Sequence, residues 1–279
     1  MNLTALMRRI VPLLPQMVCL ALLASCGGQT PKLEVSVQAR NLFYGVKASF
    51  ILGVSRLDEG LSVRVRSCET DQMPVSISAT ELSYECTVQA SGDMKLEVID
   101  ASGQTVYSKS FAVPQPRVLI DSSAGSFEVE LNPALAPRTV DNFLLYVQTG
   151  FYQDLIFHRV IPGFVVQAGG FTSGMTPKQS LFAPIALESN RGLSNKRASI
   201  AMARTNDPNS ATSQFFINLV DNLFLDYSST NSPGYAVFGD VVRGMEVVDA
   251  IAAYPTSSRT GFSDVPTTDI VINKTTRIR

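Results

Sequence analysis

From Leu33 to Val113 apolar and polar residues alternate with a period of two. The apolar positions are Leu33, Val35, Val37; Phe50, Leu52; Leu61, Val63, Val65; Val75, Ile77; Leu82, Tyr84, Cys86, Val88; Leu96, Val98; and a run from Val106 to Val113. Alternation of this kind turns one face of each strand inward. Turn signals at Asp58-Glu59-Gly60, Ser91-Gly92-Asp93 and Asp100-Ala101-Ser102-Gly103 separate the runs. About seven short strands in roughly 80 residues predict an immunoglobulin-like β-sandwich over 33–113. Two prolines in Val113-Pro114-Gln115-Pro116 stiffen the chain, so 114–116 reads as a linker and a second domain spans 117–279.

In that second domain, Val118 to Ser122 and Ser126 to Leu131 alternate around Ala124-Gly125 and predict a hairpin. Pro137 then stands at a helix start, Val140, Phe143, Leu144 and Val147 follow at helical spacing, and Gly150 marks the end. A second helix around Met245 to Ala252 has an apolar side of Met245, Val248 and Ile251. Many strands with two amphipathic helices predict a mainly β fold, a closed antiparallel barrel capped at its ends. Glu128 and Glu130 share a strand face and are expected to be solvated.

With 279 residues and a net charge of −1, the chain has room for two domains and no basic surplus to attract nucleic acid. Its first residues change the picture more. Arg8 and Arg9 precede an apolar run from Ile10 to Leu23, which meets Leu23-Ala24-Ser25-Cys26. A basic start, a short apolar centre and small residues before a cut mark a secretory signal, too short to span a bilayer. The small residues followed by Cys26 resemble a bacterial lipoprotein box. That resemblance implies removal of 1–25, lipidation of Cys26, a tether over 26–32, and a periplasmic protein held to a membrane through its lipid. Gly27 after the cysteine implies the outer membrane. Export implies an oxidising compartment. With Cys19 removed and Cys26 lipidated, Cys68 and Cys86 are left as a pair, whose loop closure contributes on the order of 3 kcal/mol. No metal site is expected, because the chain's one His is far from both cysteines.

The candidate chemistry lies in Phe157 to Gly170, Phe-His-Arg-Val-Ile-Pro-Gly-Phe-Val-Val-Gln-Ala-Gly-Gly. Strand parity places Phe157 and Arg159 on one face and His158 on the other, and after the Pro-Gly turn Val165 and Gln167 share a face. A guanidinium among apolar side chains needs a partner. Either Arg159 lies at a solvated strand end, or Gln167 reaches across the turn to hold it, leaving a fixed fork of donors in an apolar concavity. His158, facing away, is read as structural. Asp207-Pro208-Asn209-Ser210 lacks the later acids that a calcium loop needs.

Ala198 to Asn218, Leu223-Phe224-Leu225-Asp226 and Gly234 to Gly239 (Gly-Tyr-Ala-Val-Phe-Gly) join this stretch in a pattern that closely resembles the cyclophilin family of peptidyl-prolyl cis-trans isomerases in its bacterial form. The likeness runs from about Arg117 to the C-terminus. It implies an eight-stranded barrel, no cofactor, and proline-containing unfolded or extended polypeptides as partners. It further implies Arg159 as the catalytic residue oriented by Gln167, and a proline pocket of Phe164, Val165, Phe216, Leu225 and Tyr235. Ala203, Arg204 and Gln214 would contact the residues before proline. Phe224 stands where a Trp is common, which implies weak cyclosporin binding; Tyr235 replaces a His and Val165 a Met. Isomerisation suits such a site. The amide barrier of roughly 18 to 20 kcal/mol falls when a donor meets the twisting nitrogen, so neither nucleophile nor proton shuttle is needed. The implied function is folding assistance to exported proteins. The alternative is a catalytically weak holdase or envelope scaffold that captures proline segments.

Overall fold

Residues 33–113 form eight strands: β1 (Val35–Arg40), β2 (Lys47–Val54), β3 (Ser62–Val65), β4 (Cys68–Glu69), β5 (Val75–Ser78), β6 (Glu81–Val88), β7 (Gly92–Ile99) and β8 (Thr105–Val113). The computed structural model describes residues 33–55, 60–70, 73–259 and 261–279. The expected signal sequence, the expected tether with lipidation at Cys26, and part of the Asp58-Glu59-Gly60 turn therefore lie outside the described residues. One sheet of the first module runs β1-β2-β6-β4 with β5 also on β6, and a second runs β3-β7-β8. The period of two explains their packing. Ala48, Phe50, Leu52 and Val54 of β2 point inward beside Leu82, Tyr84, Cys86 and Val88 of β6. Most of these meet Met94, Leu96 and Val98 of β7 in one core. A disulfide joins Cys68 to Cys86, with Cα atoms 5.4 Å apart, and pins the two-residue β4 to β6. The alternation misleads at β5, where Val75 and Ile77 are 61% and 55% exposed.

The second module contains β9 (Arg117–Ser122), β10 (Gly125–Leu131), α1 (Pro137–Gln148), β11 (Arg159–Ile161), β12 (Val165–Ala168), β13 (Phe171–Thr172), β14 (Thr176–Pro177), β15 (Ser199–Met202), β16 (Phe215–Asn218), β17 (Val237–Arg243), α2 (Met245–Ala252), β18 (Thr256–Arg259), β19 (Phe262–Pro266) and β20 (Ile272–Arg277). Eight of these strands make one antiparallel sheet in the order β11-β12-β16-β15-β17-β10-β9-β20. An isolated bridge, Ile156 to Val271, links the segments that lead into its two end strands. One face of the sheet and the apolar sides of both helices bury a large aromatic core, with Phe127, Phe143, Tyr146, Tyr152, Phe157, Phe215 and Phe238 at most 1% exposed.

The start of α1 shows how distant residues complete a local element. Its N-cap is Ala136, which has no side chain to accept from the first turn. Glu188 takes that role. Its carboxylate accepts from the Thr139 amide and hydroxyl, both at 2.9 Å, and from the Arg138 amide at 3.4 Å. A carboxylate at this end also complements the helix dipole.

Glu128 and Glu130 share a face, as parity requires, but they are not free in solvent. Glu130 lies opposite Arg117, and Glu128 opposite Arg243, in the strand registers. Arg117 bonds Glu128 at 3.2 Å and Glu130 at 2.8 Å, Arg243 pairs with Glu128 at 3.1 Å, and Arg279 also pairs with Glu130. Register converts the expected solvated acids into a half-buried ion cluster.

Tyr44 of the first module belongs to the core of the second and is 3% exposed. Its hydroxyl donates to Asp141 Oδ1 at 2.7 Å, while Arg277 donates to its backbone carbonyl. Burial first, then the bond to Asp141, raises the phenol's pKa far above its ordinary value.

Candidate active site

The site grows from the hairpin of β11 and β12. Pro162-Gly163 makes the turn, with Gly163 at φ 70°, and the Phe164 amide closes it on the Ile161 carbonyl at 3.0 Å. Register then does the positioning. Arg159 pairs with Gln167, Gln167 with Phe216, Phe216 with Ala201, and Ala201 with Val237. Directly opposed residues on antiparallel strands project to the same side, so the row lies across one face of the sheet. Val160, Val166, Phe215, Ile217, Ile200 and Met202 point the other way into the main core. Parity fails at one place: Phe157 packs in that core, not beside Arg159, because residues 157 and 158 precede the regular strand.

On the outer face, Val165, Ala201, Phe216 and Val237 form a small cluster of their own, with Phe164, Ala203, Leu225 and Tyr235 around it. They enclose a hollow of about 150 Å³ lined by Arg159, Phe164, Val165, Gln167, Ala203, Arg204, Phe216, Leu225 and Tyr235. All nine are residues singled out in the sequence. Two others fall outside the lining. Gln214 stands behind Gln167 and accepts a bond from its Nε2 at 3.0 Å. Phe224 is 72% exposed and stacks on the outer side of Phe164, centroids 5.8 Å apart and planes 16° from parallel.

The expected hold of Gln167 on Arg159 is replaced by a different arrangement. Gln167 is its cross-strand neighbour, but the amide nitrogen donates to Gln214, and among the described residues the Arg159 side chain has no hydrogen-bond partner. Its guanidinium carbon instead lies 6.0 Å from the centre of the Phe164 ring. The donors of Arg159 thus stay available at the rim of an apolar hollow. Arg204 is the opposite case. Its Nε and Nη2 donate to the Gly234 carbonyl at 3.0 and 2.9 Å, its Nη1 donates to the Thr205 carbonyl at 2.8 Å, and its guanidinium lies 4.5 Å from the Tyr235 ring. Its side chain braces a pocket wall. Gly234 itself is required there: φ is 64°, and a Cβ would lie 2.6 Å from the backbone of Asp226.

Sequence reasoning missed the polar frame beneath the hollow. Asn222 Nδ2 donates to the Phe164 carbonyl at 3.0 Å and to Asn218 Oδ1 at 2.8 Å, and Asn218 Nδ2 donates to Ser199 Oγ at 2.9 Å. Asn195 donates to Asp226 Oδ1 from its backbone at 2.7 Å and its side chain at 2.8 Å, and Ser194 adds its hydroxyl. Burial pushes the Asp226 carboxyl up, but these bonds outweigh it and hold the group below its usual range. The one signal available was an Asn ending the apolar run Phe215-Phe216-Ile217-Asn218. His158 is buried, 3% exposed, with its ring 4.7 Å from that of Phe171. Burial lowers its pKa to about 4, outweighing the influence of the nearby Ile156 backbone and Gln214 side chain, which raise it, so it stays neutral at ordinary pH.

The comparisons with known proteins agree with this geometry. Residues 117–277 match the family described as cyclophilin type peptidyl-prolyl cis-trans isomerase/CLD. A peptidyl-prolyl cis-trans isomerase of Streptomyces antibioticus is 54% identical over 157 residues, covering 56% of this chain and 94% of the relative. Isomerase A of Dickeya dadantii is 48% identical over 63% of this chain and 92% of its own length, and isomerase B of Escherichia coli 47% identical over 57% and 98%. Among solved structures, a Cryptosporidium parvum cyclophilin type isomerase aligns at a TM-score of 0.52 with 25% identity, covering 59% of this chain and 98% of that one. Family match, bacterial relatives and fold all fall on the half of the molecule that carries the Arg159 hollow, and the chain belongs to the cyclophilin type peptidyl-prolyl cis-trans isomerase family.

Proposed function

We propose that this isomerase acts on unfolded or newly exported polypeptides in a bacterial envelope, held there by a lipid on Cys26, with Arg159 as its catalytic residue. The observation that carries the catalytic part is a guanidinium without a hydrogen-bond partner among the described residues, at the rim of a hollow of about 150 Å³ walled by Phe164, Val165, Phe216, Leu225 and Tyr235. The prolyl ring enters the hollow and is held by apolar contact. Arg159 then donates to the imide nitrogen as it loses conjugation, a bond that strengthens only in the twisted state and so lowers the barrier. Gln167 is fixed by Gln214 and keeps its side chain beside the hollow, and Ala203 and Arg204 meet the residues before proline. A Cryptosporidium relative solved in the presence of the dipeptide Ala-Pro supports proline peptides as ligands.

In this reading the eight strands close into a barrel, supported by the Ile156 to Val271 bridge between the segments leading into its end strands. The first module, 33–113, is an immunoglobulin-like sandwich joined through 114–116 to the isomerase domain, 117–279; two core clusters support that division, although Tyr44 of the first module packs in the second core. The envelope reading rests on the basic, apolar and small-residue order before Cys26 and on the Cys68–Cys86 disulfide.

Isomerisation of a proline tetrapeptide by the wild type and by Arg159→Ala tests the catalytic assignment. The variant is expected to lose at least tenfold in kcat/KM, about 1.4 kcal/mol of barrier; equal rates would overturn it. Cys26→Ala, followed by membrane fractionation, tests the anchor, and unchanged membrane recovery would remove it.

A further inference from the structure

Beside the Arg159 hollow, the tight turn Leu223–Leu225 holds three large apolar side chains, none of them buried. Leu225 lines the hollow, Phe224 stacks on Phe164, and Leu223 is 55% exposed. Large apolar groups left together in water mark an interaction surface. The turn has little freedom to fold them away. The Leu225 amide donates to the Asn222 carbonyl at 2.8 Å, and Asn222 Nδ2 donates to the Phe164 carbonyl at 3.0 Å. Asp226, on the other side, accepts from the Asn195 amide at 2.7 Å, and Asp221 accepts from the Arg197 amide at 2.8 Å. With both flanking acids engaged, what the turn offers a ligand is apolar surface.

We infer that this turn is a subsite for large apolar side chains one or two positions after the proline of a bound polypeptide, an inference that rests on the reading of the hollow as the prolyl site. Two arginines mark the ends of that hollow. Arg204 lies over Tyr235, on the side where the residues before proline are placed, and Arg159 lies over Phe164. Phe164 leads into β12 and Tyr235 into β17, with β16 and β15 between them. A chain that enters along Ala203 and Arg204 therefore leaves past Phe164. An extended chain advances about 3.5 Å per residue. The Phe224 ring centre lies 5.8 Å from that of Phe164, so it meets the side chains that directly follow the proline. The occupant is the continuation of the same substrate, on a surface continuous with the hollow. Leu223 and Phe224 select apolar over polar followers without touching the imide, and because the turn is already held, little ordering opposes binding.

The test follows cis-trans exchange by NMR in acetyl-Ala-Ala-Pro-Xaa-Xaa-amide, with Xaa as Gly, Leu, Phe or Glu, catalysed by the full chain. For the wild type, kcat/KM with the Leu and Phe peptides should exceed that with Gly by about tenfold, mostly through KM, and Glu should do no better than Gly. Leu223→Ser should reduce that preference to about threefold, and Leu223→Ser with Phe224→Ser should abolish it. Leu223 is exposed, so its replacement leaves the core closed. Equal rates across the series, a preference for Glu, or a Leu223→Ser variant that slows all the peptides in equal proportion overturns the subsite and leaves the isomerase reading intact. If no peptide is turned over, the reading of the hollow fails instead, and the shifts of the Leu223 and Phe224 amides decide the subsite. They should saturate at lower concentrations of the Leu peptide than of the Gly peptide, and equal saturation overturns it. Self-association of the wild type in sedimentation, lost in Leu223→Ser, assigns the surface to a second copy and overturns it as well.

Discussion

In the second module seven large aromatic rings are at most 1% exposed and interlock, whereas the first module rests on Phe50, Leu52, Met94, Leu96 and their neighbours. The small core is supplemented by a covalent tie between β4 and β6. The large core is supplemented by long-range polar ties, such as Glu188 at the start of α1 and the asparagine frame under the hollow. Burial scales with size, so a small sheet pair needs a staple that a large one does not. The larger module can instead place buried polar groups where they fix a site.

Breaking the staple separates the two most strongly. Cys68→Ala with Cys86→Ala should cost the first module about 3 kcal/mol, seen as early loss of amide protection in β2 and β6, while tetrapeptide isomerisation stays at the wild-type rate. A fall in catalysis equal to the fall in protection would show that the modules unfold as one.

Acid attacks the other side of the comparison. Below about pH 6.5 the unfolded chain protonates His158, while the folded chain refuses that proton until about pH 4. Folded stability from this residue is therefore present above 6.5 and falls as pH drops through that window, by up to roughly 3 kcal/mol. Denaturant unfolding between pH 7 and 4 should show the slope, and His158→Asn should flatten it. An unaltered slope in the variant would assign the effect elsewhere.

The smallest change sharpens the boundary between the modules. Tyr44→Phe removes the hydroxyl bonded to Asp141 but keeps the ring in the second core, and should cost about 1 kcal/mol or less. A double-mutant cycle with Asp141→Asn reads the coupling, and zero coupling would mean that the ring and the Arg277 bond to the Tyr44 carbonyl join them without help from the hydroxyl.

Local elements were legible where local chemistry decides them. Pro137 and Gly150 bracket α1, and α2 spans the residues its apolar spacing predicts. Most pocket residues were named by what the family resemblance implies, and the register of the structure shows why Arg159, Gln167 and Phe216 fall in one row. The hydrogen-bond choices within that row were not legible. Gln167 has Arg159 on one side and Phe216 on the other, with Gln214 two positions before Phe216, and no periodicity says which group its amide will serve. Nor could spacing announce Glu188 as the cap of a helix that starts 51 positions earlier in the numbering. Val75 and Ile77 failed for a related reason: alternation shows which residues share a face, and only the neighbouring sheet decides whether that face is covered.

Phe224, exposed and stacked on Phe164, has an optical consequence. The chain contains no Trp, so Phe224→Trp would create a single indole emitter at the mouth of the hollow. Arrival of a prolyl peptide against Phe164 would then shift its emission wavelength, and ligand exchange could be timed by stopped flow without any attached dye.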